Sequence, residues 1–557
     1  MRLRTLALFT LGALVLAGPL RLSADEPEDM LIIAPAPLLP LAEDWARYRR
    51  SRGRRPRVLD LTKLRGEQDD PAKVAGALKA AISAWAAGVA KSPLPALLLL
   101  GDVPAFGAKS LGQDRIPCFY VIDDSEQTKE LRSESTIATD NPYACLDEDS
   151  IPELAIGRIP ARSLSEGRTV LAKLERYESG SPRGPWRRRL TVFASKGGFG
   201  IVDKLLEILF TRLADRTIPY AYDLGMTYGN TSSAYAYAPD EFTDQIIRQV
   251  NEGALILNYI GHGRDRELDV IRWKGRRHRI LAMKDLARID VKGRHPIFLI
   301  VACYTGRYDR ADDRDSIAET LIKQAQGPAA VIAASRVSHP YPNALIQKDF
   351  IELVCSERVA VLGEAFRAAK ERLVRARDPS RRQLEMLSML MIPPSEKRRL
   401  TRTHCGMYNL FGDPATRIQL PDSKAKLSIA VGAEGKALRV ALGAGRSGEA
   451  LVSLECERSK ILRDLERVPE EREAAKAALK RNYARANDKV VRSWRVPVRD
   501  GKLRWPGAPD LGLPGKPGRY YLKLYAWGAD WDAAGSVLLG ERRPARARGA
   551  ARRRGSF

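Results

Sequence analysis

The stretch Ala254-Leu255-Ile256-Leu257-Asn258-Tyr259-Ile260-Gly261-His262-Gly263 and its counterpart Pro296-Ile297-Phe298-Leu299-Ile300-Val301-Ala302-Cys303-Tyr304-Thr305-Gly306 decide the fold. Each opens as a mostly apolar run long enough for one strand and stops at small or polar residues, the pattern of a strand buried on both faces of a parallel sheet. Parallel neighbours need a crossover, and the spacing between His262 and Cys303 leaves room for one. Two such strands side by side deliver a histidine and a cysteine to the carboxyl edge, where open α/β sheets hold their ligands.

The same alternation of apolar runs and helical patterns extends outward in both directions. Leu31 to Pro35 and Leu97 to Leu100 read as strands, Leu41 to Arg50 as a helix, and Pro71 to Gly88 places Val74, Leu78, Ile82 and Trp85 on one helical face. Further strands are predicted at Leu190 to Ala194 and Ala329 to Ala334. The run Gly180-Ser181-Pro182-Arg183-Gly184-Pro185 is a linker signal and divides an N-terminal α/β unit, residues 25–185, from a second, residues 186–421. Beyond Pro421 the runs alternate with period two, which predicts an antiparallel β-sandwich over 422–541 with a charged, solvated helical insertion, Glu470 to Asn487. Residues 542–557 are rich in arginine and lack the apolar content of a core.

Residues 1–24 have the order of a secretory signal: Arg2 and Arg4, an apolar run from Leu6 to Ala17, then small residues before Asp25. The run is shorter than the ~20 residues that span a bilayer, which favours export over a membrane anchor. Hydrophobic residues make up 44% of the 557 and charged ones 29%, a globular composition. The net charge of +25 would favour anionic surfaces, but an exported chain seldom serves specific nucleic-acid binding, and arginine-biased composition explains it equally well. The six cysteines stand singly, without the C-x-x-C spacing of a zinc site.

Cys303 and His262 have the chemistry of a nucleophile and its proton-transfer partner. A thiol is mostly protonated near neutral pH and becomes strongly nucleophilic when an imidazole stabilises its thiolate. That imidazole then supplies the proton to a leaving amine. Glycines on both sides of His262 keep side chains out of the cleft, so the Gly263 amide, with that of Cys303, is placed to meet a developing oxyanion. A lone cysteine after a buried strand is usually core; two matching strand ends are not explained that way.

The stretches around His262 and Cys303, together with Ala329 to Ser335, Tyr408-Asn409-Leu410-Phe411-Gly412-Asp413-Pro414 and Pro152 to Pro160, resemble the successive signatures of the gingipain family of cysteine peptidases over residues 30 to 420. The resemblance implies a caspase-like α/β region of two subdomains with mainly parallel sheets, an immunoglobulin-like sandwich after it, and peptide substrates cleaved without a required cofactor. It also implies structural calcium, for which Asp147, Glu148 and Asp149 are candidates; a solvated acidic turn is the alternative. Lys196, in Ala194-Ser195-Lys196-Gly197-Gly198, occupies the place where arginine-specific members carry an acid supporting the histidine. By the same likeness Asp203 is placed to receive a basic P1 side chain, or is a surface acid of a helix, and His339 borders the substrate cleft. The expectation is a secreted cysteine endopeptidase preferring basic P1 residues. A transpeptidase on the same chemistry, or a catalytically silent scaffold kept in view by Lys196, are the alternatives.

Overall fold

In the computed structural model the described residues are 27–542, without 90–92, 124, 131–133, 197–214, 389–391, 433–434, 506–510 and 514–516. The signal-like segment, Asp203 and the arginine-rich tail from 543 on lie outside the described residues. No helix among those described is long and apolar enough to cross a membrane.

The α/β region contains β1 (Met30–Ala34), β2 (Pro56–Asp60), β3 (Ala96–Leu100), the hairpin β4 (Phe119–Ile122) and β5 (Thr136–Thr139), then β6 (Ala155–Ile159), β7 (Arg189–Ala194), β8 (Asp223–Tyr228) and β9 (Ile256–Ile260). After a short hairpin, β10 (Val270–Trp273) and β11 (Arg276–Arg279), come β12 (Ile297–Val301), β13 (Ala330–Ala334) and β14 (Tyr408–Phe411). Ten of these form one sheet in the order β2-β1-β3-β6-β14-β13-β12-β9-β7-β8. It is mostly parallel, and β14 runs antiparallel to β13.

Strand β1 shows why the sheet is covered on both faces. Met30, Ile32 and Ala34 pack with Leu41, Ala42 and Trp45 of the helix Leu39–Ser51. Leu31 and Ile33 point the other way, onto Val74, Leu78 and Ile82 of the helix Pro71–Ala86. Asp70 caps that helix by accepting from the Ala72 and Lys73 amides, which fixes its start.

The two halves that the 180–185 linker divides are fused into this single sheet, and β6 meets β14 at one register pair, Arg158 beside Phe411. Close approach of backbones dictates the residues there. A Cβ on Gly157 would lie 2.2 Å from the Gly412 carbonyl oxygen. The Arg158 guanidinium is buried and pairs with Asp140 at 2.7 Å while also donating to the Gly101 and Ile116 carbonyls. Asp413 accepts from Trp45 Nε1 at 2.6 Å and Arg49 Nε at 2.7 Å, tying β14 to the first helix.

The C-terminal region has β15 (Ser423–Lys424), the hairpin β16 (Lys426–Gly432) and β17 (Gly435–Ala441), then β18 (Gly448–Cys456), β19 (Val490–Arg499), β20 (Lys502–Leu503), β21 (Gly518–Trp527) and β22 (Asp532–Arg542). Six of them form a mainly antiparallel sheet, β15-β22-β21-β18-β19-β20, and β16–β17 is a separate two-stranded sheet. The charged helix Arg472–Asn487 does interrupt the strands, but it is docked on the α/β region rather than solvated. It buries Ala475, Ala478, Leu479 and Ala486, Asn487 exchanges two hydrogen bonds of 2.9 Å with the Met226 backbone of β8, and Lys476 pairs with Glu241 at 2.7 Å. Its inward face is alanine-rich, so hydrophobic patterning understates the contact.

Candidate active site

Strands β12 and β9 are parallel neighbours with Val301 beside Ile260, so Ala302-Cys303 and Gly261-His262 leave adjacent strand ends on one rim. On the far side of β9, β7 ends beside Ile260 and delivers Ser195 and Lys196 to the same rim. The three ends therefore stand in the order Cys303, His262, Lys196. The Lys196 side chain is exposed.

Packing locks the histidine loop against both neighbours. The Ser195 amide donates to the Ile260 carbonyl at 2.9 Å, and the His262 amide donates to Ser195 Oγ at 3.3 Å. Tyr259 Oη donates to the His262 carbonyl at 2.7 Å. A Cβ on Gly261 would fall 2.0 Å from Ser195 Oγ, and one on Gly263 would fall 2.7 Å from Thr305 Cγ2 and 2.9 Å from Ala302 Cβ. Both glycines are thus required by close approach, and the second brings the histidine loop into contact with the cysteine loop.

The cysteine loop turns sharply after the thiol. Tyr304 has a left-handed backbone, φ 60°, which costs a non-glycine residue roughly 1–2 kcal/mol. Its surroundings hold it there: Tyr304 N donates to the Arg336 carbonyl at 3.1 Å, and Tyr304 Oη donates to Glu134, which also pairs with Arg307 at 2.9 Å. Arg336 is itself buried, forked onto Asp309 and donating to the Thr136 carbonyl at 2.8 Å. The strained turn is thereby braced by the β4–β5 hairpin, which lies outside the ten-stranded sheet.

All six cysteines are free thiols, and Cys303 is the one that is not buried. Burial pushes Cys118, Cys145 and Cys355 up to about 12, and Cys405 and Cys456 to about 11, so these five are inert at neutral pH. Cys303 Sγ accepts from the Ser338 amide at 3.3 Å and lies 3.9 Å from Ser338 Oγ. Behind it, Asn343 Nδ2 donates to Ser338 Oγ at 2.8 Å and Tyr408 Oη donates to Asn343 Oδ1 at 2.8 Å. Sequence reasoning passed over Ser338, since a serine three residues beyond the Ala329 to Ser335 motif carries no periodic or spacing signal.

The neighbour of Ser338, His339, is half-buried. Its Nδ1 accepts from the Tyr341 amide at 3.1 Å, and its own amide donates to His404 Nε2 at 2.7 Å. Burial lowers His339 to about 4 and His404 to about 3, so both rings are neutral at physiological pH.

The model of peptidase family C25 matches residues 23–419. The chain belongs to this family. No curated protein matches it. Among solved structures, the Arg-specific cysteine proteinase gingipain R (RgpB) has 16% identity and a TM-score of 0.51, with 93% of this chain and 99% of that one covered. The complex of Porphyromonas gingivalis RgpB pro- and mature domains has 16% identity and a TM-score of 0.50, covering 91% and 99%. A third, described only as a protease, has 13% identity and a TM-score of 0.50, covering 92% and 97%. At these identities the likeness is one of fold: a C25 cysteine peptidase architecture built on a large, mostly parallel sheet.

Two acidic clusters accompany the family fold. Asp147 and Asp149 converge with Glu153, and Glu148 is not part of the group. Their oxygens cap the Asp149, Ile151 and Leu146 amides, and Arg375 pairs with Asp149. The other cluster, Asp102, Asp315 and Glu319, faces Arg115, Arg162 and Lys323, which offset its charge. Burial, reinforced by Asp102 and Asp315, raises the Glu319 carboxyl well above its usual range.

The contact at sulfur makes a direct prediction. Ser338→Ala keeps the amide donor and removes the hydroxyl, a change of about 0.5–1.5 kcal/mol for one hydrogen bond. The rate of Cys303 alkylation by iodoacetamide at neutral pH should fall by about two- to tenfold. An unchanged rate would make Ser338 a packing residue only.

Proposed function

We propose that this C25 member is an exported cysteine endopeptidase in which Cys303 is the nucleophile and His262 its acid-base partner. One observation carries the reading: the single thiol of six that reaches solvent leaves the strand adjacent to the one that ends in His262. The Cys303 thiolate adds to a peptide carbonyl, and the oxyanion forms beside the amides of Gly263 and Cys303, neither of which makes a hydrogen bond among the described residues. His262, having taken the thiol proton, gives it to the leaving amine as the C–N bond breaks, and a thioester remains. Water, deprotonated by His262, then releases the acid and regenerates the thiol.

The remainder of the reading rests on sequence. Export follows from the N-terminal signal pattern, and a basic P1 preference from the family match of Asp203. The C-terminal strands are read as an immunoglobulin-like sandwich. Structural calcium is assigned to Asp147 and Asp149 together with Glu153, where the ion would have to displace Arg375 from Asp149; no catalytic step passes through it.

An electrophilic thiol probe on the purified full-length protein tests the proposal. Labelling of wild type that disappears in Cys303→Ala is the expected result. If the wild-type thiol stays unlabelled while the protein is folded, the scaffold reading replaces the enzyme.

A further inference from the structure

A cavity of about 470 Å³ opens beside His262, lined also by Gly263, Arg264, Glu267, Asp269, Arg272 and Arg277 among others. Its volume lies in the range of sites that receive a side chain or small ligand. The charges on its wall are unbalanced. Glu267 is already paired with Arg279 at 2.9 Å, and one Asp269 oxygen is taken by the Val270 amide at 2.7 Å. Arg264, Arg272 and Arg277 are exposed and form no ion pair among the described residues.

The position of the cavity relative to the dyad follows from the topology. Its wall includes β10, and Ile271 of that strand packs 3.1 Å from where a Cβ of Gly229 would lie, just past the end of β8. The Gly229 amide in turn donates to the Ala194 carbonyl of β7 at 2.7 Å. The cavity therefore reaches from the β7–β8 side of His262 to Gly263, whose loop packs on Ala302 and Thr305 beside Cys303, so it borders the cleft in which a peptide would lie.

We infer that this cavity is a specificity pocket for an acidic side chain, aspartate or glutamate, of a peptide bound beside His262. Three guanidiniums offer forked donors that match a carboxylate, whereas a lysine or arginine there would meet like charge. Lys196, at the end of β7, extends the same positive field along the rim. The inference rests on the peptidase reading for its peptide occupant, and on the cavity alone for its charge.

Binding tests the charge without requiring cleavage. Two fluorescein-labelled decapeptides of alanine and serine, one with aspartate and one with lysine at alternate positions, are titrated by polarisation against the full-length Cys303→Ala protein. The aspartate peptide should bind about tenfold tighter, and Arg272→Glu with Arg277→Glu should abolish or invert the difference. Equal binding of the two peptides would overturn the pocket, as would a preference that survives the charge reversal. An oligothymidylate that displaces the aspartate peptide at equal concentration would also overturn it, showing a general polyanion surface. Cleavage-site profiling of a peptide library by wild type separates the two readings. Cleavage with no acidic bias at any position flanking the bond removes the pocket and leaves the peptidase; selective binding without any cleavage removes the peptidase and leaves the pocket.

Discussion

His262→Ala is expected to lower kcat/KM for a cleaved peptide by roughly 10²–10⁴-fold, the usual contribution of a positioned acid-base group, while leaving the fold intact. The ring is exposed at a strand end, so its loss opens no cavity in the core. No other histidine is placed to substitute. His295 is buried and lowered to about 4 by desolvation, with Nδ1 at 2.7 Å from the Gly327 carbonyl. His339 and His404 are occupied with backbone amides, and His278 lies out on β11. The variant should also slow alkylation of Cys303 at neutral pH, since no imidazole remains to take the thiol proton. Cleavage rate and alkylation rate together decide the matter. A variant that retains wild-type kcat/KM would show that proton transfer runs through another group, and the dyad would be wrong.

How much of this was legible in the sequence depends on what kind of contact each feature makes. The strands β1, β3, β12 and β13 are uninterrupted apolar runs and β9 is broken only by Asn258, and their ends were readable to within a residue or two because burial on both faces leaves no ambiguity of period. The strand β11, Arg276-Arg277-His278-Arg279, has no apolar residue and is held by its hairpin partner, so nothing in its composition announces a strand. The cavity it helps to wall was invisible for the same reason. Fusion of the two halves into one sheet was equally hidden, since it turns on a single register pair and on backbone approach at Gly157 and Gly412. The family-like motifs were readable as motifs but not as roles. Gly261-His262-Gly263 and Ala302-Cys303 stand at the rim, whereas Gly157-Arg158 and Gly412-Asp413-Pro414 lock the seam between the halves, and a sequence alone shows both with equal weight.

That seam predicts the largest loss of stability. Asp413→Ala is expected to destabilise the protein by about 3–5 kcal/mol, the range for removing one partner of a buried ion pair. Asp413 is 2% exposed, and its carboxylate serves three donors: Trp45 Nε1, Arg49 Nε and the Ala415 amide. Arg49 is 1% exposed and would keep Glu178 as its ion-pair partner, while its NH2 nitrogen is already without an acceptor. The substitution therefore leaves the buried Arg49 cation with one carboxylate instead of two and leaves two neutral donors without an acceptor in the core, a larger penalty than a lost surface pair. Equilibrium unfolding in urea measures it, with Cys303→Ala as the control that should unfold with wild type. Activity should fall only as the unfolded fraction rises, because β14 reaches the site indirectly, through Tyr408 and Asn343 to Ser338 at the sulfur. A shift below about 1 kcal/mol would mean that Glu178 alone satisfies Arg49, and that the Gly-Asp-Pro motif is retained for something other than the seam.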